Sequence, residues 1–405
     1  MTLFRVSTSA FYGSTTANIN ARQRELLTLN AQMTSGKRIT TAADDPVGAA
    51  NAADLRSSLS RLDQFKQNQS YSRHALSLGE TAVTGAIDAT MNARDLLMAA
   101  GNGAYTDADR ASLADELEGV LARVVGLANS SDGDGGYLFA GGRDQATPYA
   151  QMGNQVRYKG GALGQTVEVA SGRFLQVKFA GDALFGAMRP GNGSFVTAAD
   201  AANTGTGTID VGAVTQPGAL TGGNYTISIA PDAAGDLAYT IVPAPAAGNA
   251  TGKFVAPTSI EFDGMSIKLG GAPAAGDSFT VNPASSQPLF ETLQQAITLL
   301  RTPVDGHPAG GARMTSQLGG LIASVDGAVA HLQATRSTMG AGLAELDAYG
   351  SLNDDRTLQQ ETRLSAVEDL DFAVAATQNA SASLALQAAM QSYSSISRLS
   401  LFNYL

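Results

Sequence analysis

Apolar residues recur at intervals of three, four and seven towards both ends of the chain, and at intervals of two in its middle. Leu55, Leu59, Leu62, Leu76, Val83, Ile87 and Leu97 mark one such stripe, the spacing of a single helix face. Asp45-Pro46 opens it: an N-cap Asp accepts backbone N–H bonds, and Pro in the first turn has no N–H to leave unpaired. Asn102-Gly103 closes it. A second helix is predicted from Thr106, with Asp107 and Asp109 in the first turn, where the helix dipole favours acids. Its stripe is Leu113, Leu117, Val120, Val124 and Leu127. Further on, Phe290, Leu293, Ile297 and Leu300 predict a short helix ended by Pro303. Met314, Leu318, Leu321, Val325, Leu332, Met339, Leu343 and Leu346 then continue the helical spacing.

The extreme ends carry a sparser pattern. Ile19, Arg22, Leu26, Leu29 and Met33 step by three and four, as do Leu364, Val367, Leu370 and Val374. A Ser-, Ala- and Gln-rich seam follows through Leu384 and Leu386. These seams hold few large apolar residues, so alone they bury too little to offset the entropy of ordering. They are expected to fold fully only when neighbours surround them. Ile19, Leu26, Leu29, Met33, Leu364, Val367, Leu370, Val374, Leu384 and Leu386 are therefore the candidate residues for assembly or chaperone binding.

The middle is different. Residues 151–285 hold 22 of the 45 Gly and 8 of the 13 Pro, and Pro costs about 3 kcal/mol inside a helix. Residues 1–45, 47–147 and 309–405 have no Pro at all, so long helices belong there. Gln155–Tyr158, Thr166–Val169, Leu175–Phe179, Tyr225–Ile229 and Leu237–Val242 are short, rich in β-branched or aromatic residues and bounded by Gly or Pro. Asp263-Gly264, between two alternating apolar runs, predicts a type I′ hairpin.

Helices must bury their stripes against something, and those of the C-terminal half are the available partners for those of the N-terminal half. The expected fold is mainly α with an inserted antiparallel β domain. Both chain ends form an elongated rod of antiparallel helices, with the β domain at its distal end. The expected divisions are 1–45 with 352–405 as a terminal assembly domain, 46–150 with 286–351 as a helical rod, and 151–285 as the β insertion. Charge agrees: residues 1–73 carry nine basic and five acidic side chains, and residues 354–405 three basic and six acidic.

Composition narrows the chemistry. The chain of 405 residues is 15% charged with a net charge of −10, so the basic footprint of a nucleic-acid binder is missing. It has no Cys, which removes disulfides, thiolate metal ligands and a thiol nucleophile. His74, His307 and His331 are too few for a histidine-rich metal centre. No phosphate loop, G-x-S-x-G elbow or H-E-x-x-H pair occurs. The run Ser131–Gly136 faintly suggests a calcium loop, but Arg143 stands where the bidentate acid belongs. No catalytic residue, cofactor or metal is expected. The first residues also lack the apolar core of a cleavable signal peptide, and no stretch is apolar enough for a membrane span.

Two blocks carry a resemblance. Ser35-Gly36-Lys37-Arg38-Ile39 and Asp44-Asp45-Pro46-Val47-Gly48-Ala49-Ala50, within residues 5–56, resemble the flagellin superfamily. So does the C-terminal block 361–405. More narrowly, four features resemble the hook-associated class found at the hook–filament junction. They are the opening Arg5–Thr8, the run Gly136–Gly141, Leu289–Leu293 and the ending Leu399–Leu405. Val374 and Asn403 depart from the family's usual acids. The resemblance implies a structural subunit, exported through the flagellar type III channel without cleavage. It also implies a homo-oligomeric ring, contacts with a neighbouring hook-associated protein and with flagellin, and a cytosolic export chaperone on the C-terminal region. The rival readings are a flagellin proper, an enzyme carried in the β domain and a coiled-coil signalling protein.

Overall fold

A computed structural model describes residues 8–143, 145–153 and 155–398. The helices are α1 (Thr8–Ser35), α2 (Pro46–Ala100), α3 (Asp107–Ala128), α4 (Leu289–Leu300), α5 (Pro308–Glu368) and α6 (Phe372–Arg398). The chain divides into two compact units. One takes the residues up to Gln67 together with those from Tyr349 on; the other is Asn68–Ala348. α2 and α5 each contribute to both.

In the larger unit the predicted stripes become the helical core. Leu76, Val83 and Leu97 of α2, Leu117 and Val124 of α3, Leu293 of α4, and Val325, Leu332 and Leu346 of α5 are all buried. α3 starts as its sequence requires. Thr106 caps it, receiving the Asp109 N–H while Asp109 receives the Thr106 N–H, which satisfies two helix-end donors at once. The same end is tied to the α4–α5 turn. Asp107 accepts from the N–H groups of Val304 and Asp305 at 3.0 and 3.1 Å, and Asp305 accepts the Asp107 N–H at 2.9 Å. The buried Arg110 bridges the two carboxylates.

The strands before Phe195 are two separate hairpins: β1 (Tyr149–Met152) with β2 (Gln155–Tyr158), and β3 (Gln165–Ala170) with β4 (Arg173–Lys178). They pack on the helices. The rings of Tyr149 and Phe290 stand 4.8 Å apart, those of Tyr149 and Tyr158 5.1 Å. Buried Gln69 of α2 donates to the Val169 carbonyl at 2.7 Å, and Arg173 grips Glu345 of α5.

The remaining strands are β5 (Phe195–Ala199), β6 (Thr208–Ile209), β7 (Ala213–Val214), β8 (Tyr225–Pro231), β9 (Leu237–Val242), β10 (Thr251–Lys253), β11 (Thr258–Phe262), β12 (Met265–Gly270) and β13 (Ser278–Pro283). One sheet has the order β10-β9-β8-β13-β5; a second joins β11, β12 and β6, with β7 also on β12. All pairs are antiparallel. Both sheets feed one apolar core, with Ile227, Ile241 and Phe279 from the first and Ile209, Ile260 and Ile267 from the second. The β11–β12 hairpin turns at Asp263 (φ 44°) and Gly264 (φ 75°), the positive φ pair a type I′ turn demands.

Candidate assembly site

The two family-like motifs of the N-terminal block build one corner of the terminal unit. α1 ends at Ser35, and Gly36 adopts φ +70°, the left-handed position after a helix that glycine fills at no steric cost. The chain then runs beside the α5–α6 junction. The Arg38 N–H donates to the Glu368 carbonyl at 2.7 Å, and the Leu370 N–H donates to the Gly36 carbonyl at 3.0 Å. In the second motif Asp44 accepts the N–H groups of Thr40 and Thr41 at 3.1 and 2.7 Å. Asp45 caps α2 through the Gly48 N–H at 2.8 Å. A Cβ at Gly48 would lie 2.4 Å from the Asp45 carboxylate and 2.6 Å from Ile39, so a larger residue there would have to displace the capping carboxylate or the Ile39 side chain.

Glu368 is the hub of this corner. Its carboxylate is buried and receives both Lys37 and Arg56. Burial alone would raise its pKa, but the two cations hold it below the usual glutamate value. Arg38 completes the tie, donating to the Val367 carbonyl at 2.8 Å and to Asp45 at 3.1 Å. The opposite charges of the two chain ends thus meet here, on particular atoms.

From the corner α1 and α6 run side by side. Asn379 donates to Asn30 Oδ1 at 2.8 Å and to Met33 Sδ at 3.3 Å, and Tyr12 meets Tyr393 edge to face at 5.9 Å. Of the candidate residues, Leu29 is buried; Ile19, Leu26, Met33, Leu364, Val367, Leu370 and Leu386 are partly buried. Val374 and Leu384 are not on the inner face. They are 50% and 68% exposed, and the buried positions of α6 are Ala375 and Ala382. The stripe read through Leu370 and Val374 assumes one unbroken helix. α5 stops at Glu368 and α6 starts at Phe372, so the break at 369–371 resets the phase. The inner face of α6 is marked by alanines, which a search for large apolar residues passes over. Leu27 and Phe372 are also exposed, at 68% and 54%. The closing Leu399–Leu405 and Arg5–Ser7 lie outside the described residues.

The other motif residues are buried structure. In Gly136–Gly141, Leu138, Phe139 and Ala140 are buried. Gly141 sits at φ +61°, where a Cβ would lie 2.2 Å from the Gly161 carbonyl oxygen. The loop with a faint calcium pattern is occupied by the protein itself. Lys178 Nζ lies 2.8 Å from Asp132 Oδ2, both side chains being buried or nearly so. Asp132 also accepts the N–H groups of Asp134 and Gly136 at 3.0 and 2.8 Å. Among the described residues no group of three or more acidic or histidine side chains is placed to hold a metal ion, and no helix is long and apolar enough to cross a membrane.

Comparisons with known proteins fit this geometry. The bacterial flagellin N-terminal helical region matches residues 6–144. Flagellar hook-associated protein 3 of Salmonella typhimurium is 26% identical over 398 residues, covering 98% of both chains. B-type flagellin of Pseudomonas aeruginosa, at 31% identity, covers only 34% of this chain and 28% of its own length. The crystal structure of hook-associated protein-3 from Legionella pneumophila superposes with a TM-score of 0.72 at 26% identity, covering 77% of this chain and 98% of that one. Likeness to flagellin is confined to part of the chain, whereas likeness to hook-associated protein 3 spans 98% of it: the chain is similar to the flagellin superfamily and, over its whole length, to flagellar hook-associated protein 3.

Proposed function

We propose that this chain is a structural subunit of the bacterial flagellum. It would form the junction layer between a neighbouring hook-associated protein and the flagellin filament by self-assembly of α1 and α6 into a ring. The observation that carries the reading is the α1–α6 pair. Burying one large apolar side chain is worth about 1.5–3 kcal/mol, whereas ordering one residue's backbone costs about 1–2 kcal/mol. The pair buries Leu29, Ala375 and Ala382 yet leaves Leu27, Phe372, Val374 and Leu384 in solvent. Two helices of 28 and 27 residues with that inventory need further surface to cover, and copies of the same pair supply it. Full-length similarity to hook-associated protein 3, against partial similarity to flagellin, favours the junction over the filament body.

The remaining steps belong to the same proposal. The chain leaves the cell through the flagellar export channel without cleavage, works outside it without catalysing a reaction, and is held beforehand by a cytosolic chaperone on its C-terminal region. The test is a deletion strain viewed by electron microscopy. Hooks without filaments, with flagellin shed into the medium, are expected. Normal filaments on the mutant would overturn the reading.

A further inference from the structure

We infer that α5 between Asn353 and Gln360 is a built-in weak segment of the α2–α5 pair, where the two helices part locally while the rest of the molecule stays folded. Within the terminal unit these helices run antiparallel, with their register marked by two ion pairs, Arg56–Glu368 and Lys66–Asp354. The inward stripe of α5 from Asn353 to the clasp is Asn353, Thr357, Gln360, Leu364 and Val367, stepping by four and three. Its second half is apolar and its first half is not. Asn353 is only 3% exposed, yet among the described residues neither its Oδ1 nor its Nδ2 has a hydrogen-bond partner. Two turns on, the buried Oε1 of Gln360 also has none. Thr357 satisfies itself by donating back to the Asn353 carbonyl at 2.8 Å, a bond that bends helices rather than joining them. Opposite it, the inward α2 positions Leu59, Leu62 and Phe65 offer no hydrogen-bonding group.

A buried amide with no partner is worse than an apolar side chain of the same shape, because the closed state keeps the full desolvation cost. Opening hydrates all three atoms, which offsets much of the lost contact, so opening is easiest here. At one end the segment is bounded by the buried Glu368 clasp. The other mark is weak, since both partners of Lys66–Asp354 are about two-thirds exposed and such pairs contribute little. Further back, α5 carries Val325, Leu332, Met339 and Leu346 on its buried face, with no comparable gap. The inference concerns the helix pair itself and does not depend on the flagellar reading.

Hydrogen exchange on the full-length protein tests it. Amides of 350–362 should exchange about tenfold faster than those of 320–345, as expected of a sub-global opening. Asn353→Leu and Gln360→Leu should each slow exchange in 350–362 about fivefold, leave 320–345 unchanged and raise Tm by about 2–4 °C. Equal protection of the two segments in the unaltered chain would overturn the inference, even if the variants failed to fold. Variants that fold but leave exchange in 350–362 unchanged, or speed it, would overturn it as well.

Discussion

Glu368 shows how much one side chain can carry. Its carboxylate is buried, while Lys37 and Arg56 are roughly half exposed, so its removal would not strand a buried cation. What would be lost is two charge-assisted bonds, partly screened by solvent. Glu368→Gln is therefore expected to destabilise the folded chain by about 1–2 kcal/mol near pH 7. The pH dependence has a definite sign. The folded-state pKa lies below the ordinary value of 4.5, so the contribution is present above that value and disappears as pH falls through the depressed one. Urea titrations should show the native and Glu368→Gln chains differing near neutrality and converging in acid; a gap that persists undiminished at low pH would contradict the clasp. Little of this was legible beforehand. Counting charges finds the opposition between the two ends, but nothing in periodicity tells Glu368 from Glu361, because the difference arises only when α5 ends and the Gly36 turn folds onto it.

At the scale of elements, legibility follows the size of the buried residue. Helices that bury Leu, Val and Met in long stripes, such as α2, α3 and the first part of α5, are readable because each turn repeats the signal. The β11–β12 hairpin is readable because Asp-Gly can hardly do anything else between two alternating runs. β5 and β13 are not read from pattern, since Phe195–Ala199 ends in alanines and Ser278–Pro283 mixes Ser, Thr, Asn and Pro with two buried apolar residues. α6 fails in a third way: its period is intact, but the break at 369–371 shifts its phase. The shift makes a clean experiment. Val374 and Leu384 are exposed, so Val374→Asp with Leu384→Asp should change monomer stability by no more than about 0.5 kcal/mol per site. The same pair of changes should abolish self-assembly and binding of a 355–405 peptide to the export chaperone, because a charge would have to be buried. Circular dichroism and sedimentation of the double variant measure the two halves. Assembly that survives would mean that this face of α6 meets nothing.

At the scale of the molecule, the question is what the two-sheet core contributes beyond its own fold. Its entry and exit strands are neighbours. β5 and β13 pair from Phe195 with Pro283 to Ala199 with Phe279, and just outside them the Ala284 N–H donates to the Ser194 carbonyl at 3.0 Å. The chain therefore leaves the helical part and returns to it at one point, the arrangement in which an insertion can be excised without stretching the scaffold. The apolar cluster of the two sheets is drawn entirely from residues 195–281, so removing it should not open the helical core. Its ties to the helices include polar ones: Ser316 of α5 receives the Ile209 N–H at 3.1 Å, and Arg313 donates to the Ala201 carbonyl at 2.7 Å. Neither helical group needs a new partner once water reaches it. A chain lacking 195–283, joined from Ser194 to Ala284 by two or three glycines, is expected to fold with the helical stability of the parent and to complement the deletion strain for filament growth. The hairpins β1–β2 and β3–β4 must stay, because Tyr149, Tyr158 and Val169 are built into contacts with the helices. Cutting at 151 instead should therefore unfold the helical part. If the shorter excision yields a folded, exported chain that cannot support filaments, then the sheets make a contact on which assembly depends, and the insertion is more than an addition to the surface.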